Sequence, residues 1–164
     1  MVTKQLPILG WREWVALPAL GITKLRCKVD TGAKTSALHA FYVEEFTENG
    51  IAMVRFGLHP KDQSTAKEVH CSAPIHDQRN VTDSGGHTEQ RFVIKTPIVL
   101  GKYTWDIEVT LTNRDSMIHR MLLGRAAIVD NFLVDSGSTY LMEKPSKTPE
   151  QLSVLSRLHD EEEE

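Results

Sequence analysis

Cysteine is scarce in this chain: Cys27 and Cys71 are the pair among 164 residues. Two cysteines do not build a disulfide scaffold, so reduced thiols and a cytoplasmic setting are expected. No apolar run is long enough to cross a bilayer as a helix, and Trp11, Arg12 and Glu13 interrupt the opening segment before it could serve as a leader. No membrane partner is expected. Charge of one sign is missing too. Lysine and arginine number 19 against 22 aspartates and glutamates, and without the terminal run Asp160–Glu164 the signs nearly balance. Such a body gives no electrostatic case for nucleic acid, although local basic clusters can still attract an acidic ligand. There is no His-Glu-x-x-His and no glycine-rich phosphate loop ending in Lys-Ser or Lys-Thr. No metal or other cofactor is therefore expected.

What is present reads as strand from residue 13 to residue 143. In Thr23–Val29 the apolar Leu25, Cys27 and Val29 alternate with Lys24, Arg26 and Lys28, and the same period returns over Tyr103–Leu111. Glu48-Asn49-Gly50 and Gly101-Lys102 each separate two such runs and predict hairpins. The polar stretch His59–Ala66 is a loop. Between Val69 and Val99 two extended segments flank Asp83-Ser84-Gly85-Gly86-His87, which predicts one long hairpin with a flexible tip. A short helix can follow Gly124. A second starts where Thr148 caps, Pro149 takes the first helical position and Gln151 completes a capping box. The chain thus divides into an all-β domain over 1–145 and a C-terminal helix with an acidic tail over 146–164.

Asp-Ser/Thr-Gly occurs three times, at Asp30-Thr31-Gly32, Asp83-Ser84-Gly85 and Asp135-Ser136-Gly137. Turns favour the same residues, so context has to separate them. Asp30 ends the best alternating strand, and Gly32 leaves room for close backbone approach. Asp83 sits at the hairpin tip, where turn chemistry accounts for it. Asp135 follows Phe132-Leu133-Val134 as a strand would, but too little chain follows it to build a second lobe.

Asp30-Thr31-Gly32-Ala33 after a strand, a glycine-tipped hairpin and Leu122-Leu123-Gly124-Arg125 together resemble the retropepsin-like aspartic peptidases. Gly10-Trp11-Arg12-Glu13-Trp14-Val15, Val29–Leu38 and Leu111–Asp115 extend the likeness. They resemble a bacterial family once labelled "ATP-dependent zinc protease", associated with ATP-grasp ligases that add glutamates to a ribosomal protein. The resemblance implies an acid-protease fold: a closed barrel, a flap hairpin and one or two short helices. It implies catalysis by Asp30, with Thr31 bracing the loop and Gly32 admitting substrate. Aspartic peptidase chemistry needs two carboxylates sharing a proton, so one competent loop per chain implies a homodimer.

The substrate class that the family association implies is a glutamate-rich peptide or protein tail. Ala33, Lys34, the flap residues Ser84, Gly85 and Gly86, and Arg91 are the expected substrate contacts, with Lys95 and Arg125 as further nearby cations. For Arg125 a structural salt bridge is the better reading. Two rivals stand beside the peptidase: a module of the same fold that binds acidic peptides without cutting them, and a zinc hydrolase built on His70, Cys71 and His76. Strand geometry turns His70 and Cys71 to opposite faces, which weighs against the metal. His39, His87 and His119 read as ordinary, partly exposed residues. Trp11, Trp14 and Trp105 read as core or interface anchors.

Overall fold

The computed structural model describes residues 5–62, 64–113 and 118–145. β1 (Ile8–Leu17) turns through a short 3-10 segment, Pro18–Leu20, into β2 (Ile22–Asp30), and the two pair antiparallel with Arg12 opposite Lys28. β2 keeps the alternation read from its sequence: Leu25, Cys27 and Val29 are buried while Lys24 and Lys28 are exposed. Cys27 is fully enclosed, and burial, with Glu13 beside it, pushes its thiol up to about 12. Cys71 rises to about 11 through burial alone.

The strands β3 (Ser36–His39), β8 (Thr88–Leu100), β9 (Tyr103–Thr112) and β10 (Met121–Gly124) complete a ring with β1 and β2. Its order is β1-β2-β10-β3-β9-β8, and Ala16 opposite Val99 returns it to β1. β11 (Leu133–Thr139) extends the sheet beside β1 in parallel, and β7 (Asp77–Thr82) extends it beside β8. Leu9, Leu17, Leu25, Leu38, Ile94, Ile98 and Met121 fill the ring.

A three-stranded sheet, β4 (Tyr42–Glu48), β5 (Ile51–Leu58) and β6 (Val69–Pro74), covers it through Val54, Phe56 and Leu58 of β5. Its first turn carries Asn49 and Gly50 at φ 53° and 78°, the left-handed pair that a two-residue hairpin needs. The Gly101-Lys102 turn joins β8 to β9 as read from sequence.

Three expectations need correction. The segment from Val69 to Thr82 is not one arm of a long hairpin: Ile75 and His76 break it, sending β6 to β5 and β7 to β8. On β9, Thr110 and Thr112 face away from the ring's apolar side yet are buried, because β8 lays the side chains of Glu89 and Arg91 over them. His39 and His119 are buried as well, and burial lowers the His119 imidazole below its usual range. The short helix α1 (Arg125–Ile128) follows β10 as expected. The predicted helix and tail over 146–164 lie outside the described residues.

Candidate active site

Asp30 stands at the last position of β2, and the chain leaves it through Thr31–Thr35 before resuming as β3. The two strands that flank this loop do not pair with each other. β10 inserts between them, parallel to β2 with Gly124 beside Asp30, and antiparallel to β3 with Met121 opposite Leu38. The loop is therefore anchored by a third segment, which arrives from almost a hundred residues downstream.

The anchoring is specific. Asp30 Oδ1 accepts from the amides of Gly32 at 3.1 Å and Ala33 at 3.2 Å, curling the loop around the carboxylate. The amide of Gly124 donates to Ser36 Oγ at 2.9 Å, that of Arg125 to the Ala33 carbonyl at 2.7 Å, and that of Ala126 to the Lys34 carbonyl at 2.9 Å. The Arg125 guanidinium reaches back to the Thr31 carbonyl at 3.1 Å. Arg125 thus braces the Asp30 loop by a hydrogen bond to backbone, in place of the expected salt bridge. A side chain at position 124 would bring its Cβ to 2.6 Å from the Thr35 carbonyl carbon, so glycine is the residue that lets β10 lie this close. Thr31, Gly32 and Lys34 are exposed around the carboxylate, and Ala33 is partly covered.

The hairpin β7–β8 carries Ser84, Gly85 and Gly86 exposed at its tip. Asp83 serves the turn, accepting from the amides of Gly85 and His87, each at 2.9 Å. Arg91 is placed differently from expectation. It is 8% exposed, bound to Glu89 and to the Thr110 hydroxyl, which itself donates to the Ser36 carbonyl at 3.2 Å. Arg91 is a buried strut joining the flap base to β3, because a guanidinium beneath a hairpin must be paired to be buried.

Lys95 is exposed on β8 opposite Glu108, a carboxylate already held by Arg79 and His76. Arg79 hydrogen-bonds Glu108 at 2.6 Å and so holds its carboxyl below the ordinary carboxylate range. A lowered carboxyl adds stability that is complete above its unfolded value of 4.5 and fades as pH falls through the folded one. Amides of β7 should therefore exchange faster with solvent as pH drops below about 4.5 once intrinsic exchange is corrected, and Arg79→Gln should erase that added sensitivity.

Asp135 is exposed on β11, on the far side of β1 from β2, with the Ser138 hydroxyl at 2.8 Å and the Gly137 amide at 3.0 Å. Ser138 and Gly137 hold its carboxyl below the usual range. His70 bonds Tyr42 and Glu68, Cys71 donates to the Leu20 carbonyl, and His76 bonds Glu108. Among the described residues no three potential metal ligands come together. No helix of the described residues is long and apolar enough to cross a membrane.

A residue that sequence reasoning passed over proves central to the frame. Glu13 is fully buried, and its carboxylate accepts from the amides of Gly10 at 2.7 Å, Leu141 at 2.9 Å and Met142 at 3.1 Å. It ties the segment after β11 onto β1. The signal available in sequence was a lone acid among apolar residues of an otherwise alternating strand.

A strand ring, an Asp-Thr-Gly loop at the end of one strand and a Gly-Arg segment threaded beneath it define a retropepsin-like fold. Residues 8–145 match the RimB-like family, described as retropepsin-like aspartic endopeptidase RimB, and the chain belongs to that family. It is also 43% identical over 140 residues to a probable alpha-L-glutamate ligase of Desulfotalea psychrophila, covering 85% of this chain and 30% of that protein. A probable alpha-L-glutamate ligase of Shewanella pealeana is 43% identical over 146 residues, covering 88% and 32%. The chain thus spans about a third of the length of these curated relatives. A crystal structure of Lpg0085, a Legionella pneumophila protein of unknown function, superposes with a TM-score of 0.70 at 29% identity, covering 85% of this chain and all of the other.

Proposed function

We propose that this protein is an aspartic endopeptidase acting on an extended, glutamate-rich peptide or protein tail, and that two copies join to pair their Asp30 carboxylates. The observation that carries this reading is the Asp30 loop, curled around its carboxylate and anchored on the Gly124–Ala126 backbone. A carboxylate fixed in this way, with small neighbours and exposed backbone beside it, suits a water-activating group.

The described chain offers one such loop, whereas the chemistry needs two carboxyls sharing one proton. The ionised carboxylate takes a proton from the water between them. Its protonated partner donates to the scissile carbonyl as water attacks, and the proton acquired passes to the leaving amine. No covalent intermediate forms. Thr31 would brace one loop against the other, Gly32 and Ala33 would leave room for substrate backbone, and Lys34 with the Ser84–Gly86 tip would close over it. Register places the start of β1 and the start of β11 at the same end of the ring as Asp30, and there Ile8 and Leu133, opposite each other, are 48% and 54% exposed. An apolar pair of this kind beside the loop supports a second copy at that end.

The glutamate-rich substrate is supported by the relatives named as glutamate ligases, since a domain matching part of such a protein would meet chains of glutamate. Two reduced cysteines support a cytoplasmic setting. The test is incubation of the protein with a peptide ending in several glutamates and with its glutamine counterpart, followed by mass spectrometry of the products. New termini from the glutamate peptide are expected, at a rate at least about tenfold above that of the glutamine peptide. Intact peptides after prolonged incubation would refute the peptidase reading.

A further inference from the structure

The outer face of β2 holds a row of cations that the chemistry above does not use. Leu25, Cys27 and Val29 point into the ring, so Lys24, Arg26 and Lys28 share the opposite face with Asp30. Same-face residues of a strand recur at about 6.6–6.8 Å, which puts Lys28, Arg26 and Lys24 roughly 7, 13 and 20 Å along the strand from Asp30. β1 widens the row, setting Arg12 opposite Lys28 and Trp14 opposite Arg26. The Arg12 guanidinium lies 4.1 Å from the Trp11 ring centroid, and its Nε has no hydrogen-bond partner among the described residues. Trp14 carries two ammonium groups, Lys24 at 5.1 Å and Lys144 at 4.7 Å, and stacks on Tyr140.

Little on this face cancels the charge. Asp62 pairs with Arg26, while Lys24, Lys28, Arg12 and Lys144 make no ion pair among the described residues, and neither does Glu143 beside Lys144. The crowding is felt locally: Lys24 is held below its ordinary value, first by the neighbouring Lys144 ammonium and its like charge, with burial and Lys61 adding to it. A chain with a net charge of −3 therefore keeps one concentrated positive face, and that face runs into Asp30.

We infer that this face binds the acidic stretch of a peptide and leads it along β2 to Asp30; the inference rests on the peptidase reading and names residues that would select its substrate. Alternate side chains of an extended peptide recur at the same spacing as the row, so their carboxylates meet the unpaired Lys28 and Lys24, with the Asp62-paired Arg26 between them. Trp14, stacked on Tyr140, holds the Lys24 and Lys144 ammonium groups in place beside the row. Because the row ends at Asp30, the group that cuts a peptide in the reading above, the ligand that fits it is a peptide and not a phosphate backbone.

The experiment uses full-length Asp30→Asn protein, which cannot cut, and fluorescence anisotropy of a labelled peptide of consecutive glutamates. The double reversal Lys24→Glu with Lys28→Glu should weaken binding at least about tenfold and flatten its salt dependence. Affinity for the glutamine counterpart should not move. Arg55→Glu, on the three-stranded sheet, should leave the glutamate peptide's affinity unchanged. Both lysines are exposed, and an unaltered circular dichroism spectrum would show the double variant folded. Unchanged affinity after the double reversal would overturn the inference. So would a single-stranded oligonucleotide of matched length that binds as tightly and displaces the peptide. If protein with Asp30 intact fails to cleave while binding still depends on Lys24 and Lys28, the peptidase reading falls and this face stands. If it cleaves and the double reversal changes nothing, the peptidase stands and the face falls.

Discussion

Asp30→Asn is expected to abolish peptide hydrolysis, lowering turnover by at least about 10²–10⁴-fold, while the fold persists. The amide keeps an oxygen for the Gly32 and Ala33 amides, so the loop holds its shape, but it can neither take a proton from water nor share one. Asp83→Asn and Asp135→Asn should retain turnover, because one carboxylate serves the flap turn and the other an exposed bend on β11. The proposed homodimer adds a second readout. When Asp30→Asn and unaltered protein are mixed in equal amounts and allowed to exchange, random pairing leaves about a quarter of the dimers with two aspartates, so activity per unaltered chain falls to about half. Undiminished activity per unaltered chain after exchange would mean that one copy works alone, and an active Asp30→Asn protein would sink the mechanism.

Glu13→Ala should be the most destabilising single change within the frame. It removes the acceptor of three amides, two of them on the segment that returns to β1 after β11. Each buried donor left without a partner costs about 1–3 kcal/mol, so a loss of about 3 kcal/mol or more is expected in chemical denaturation. Glu13→Gln restores an acceptor oxygen to one side only and turns an amino group towards a donor on the other; its loss should be intermediate. A loss below about 1 kcal/mol for Glu13→Ala would show that the segment at Leu141 and Met142 is held by other contacts.

The strands were legible where one face is wet. β2 declares itself because Lys24 and Lys28 must reach water while Leu25, Cys27 and Val29 must leave it. The Asn49-Gly50 turn was equally plain, since few residue pairs accept two left-handed conformations. The division between β6 and β7 was not legible. Both are half-exposed, and periodicity does not say which neighbour a strand will choose. Arg91 illustrates the same limit at the site: a basic residue in a flap reads as a substrate contact until the fold places Glu89 and Thr110 around it.

Sequence alone was enough to see that Asp30 closes a strand and that the chain belongs to the RimB-like family. Local propensity and motif are properties of neighbouring residues, so they survive reading in one dimension. Tertiary structure alone decided that β10 enters between β2 and β3, that Glu13 is an internal acceptor, and that Arg125 grips the Thr31 carbonyl. It also decided that Lys24, Arg26 and Lys28 form one charged face with Arg12 and Lys144. These depend on contacts between residues far apart in the chain, whose energies arise only when desolvation forces each buried polar group to find a partner and leaves unpaired cations at the surface.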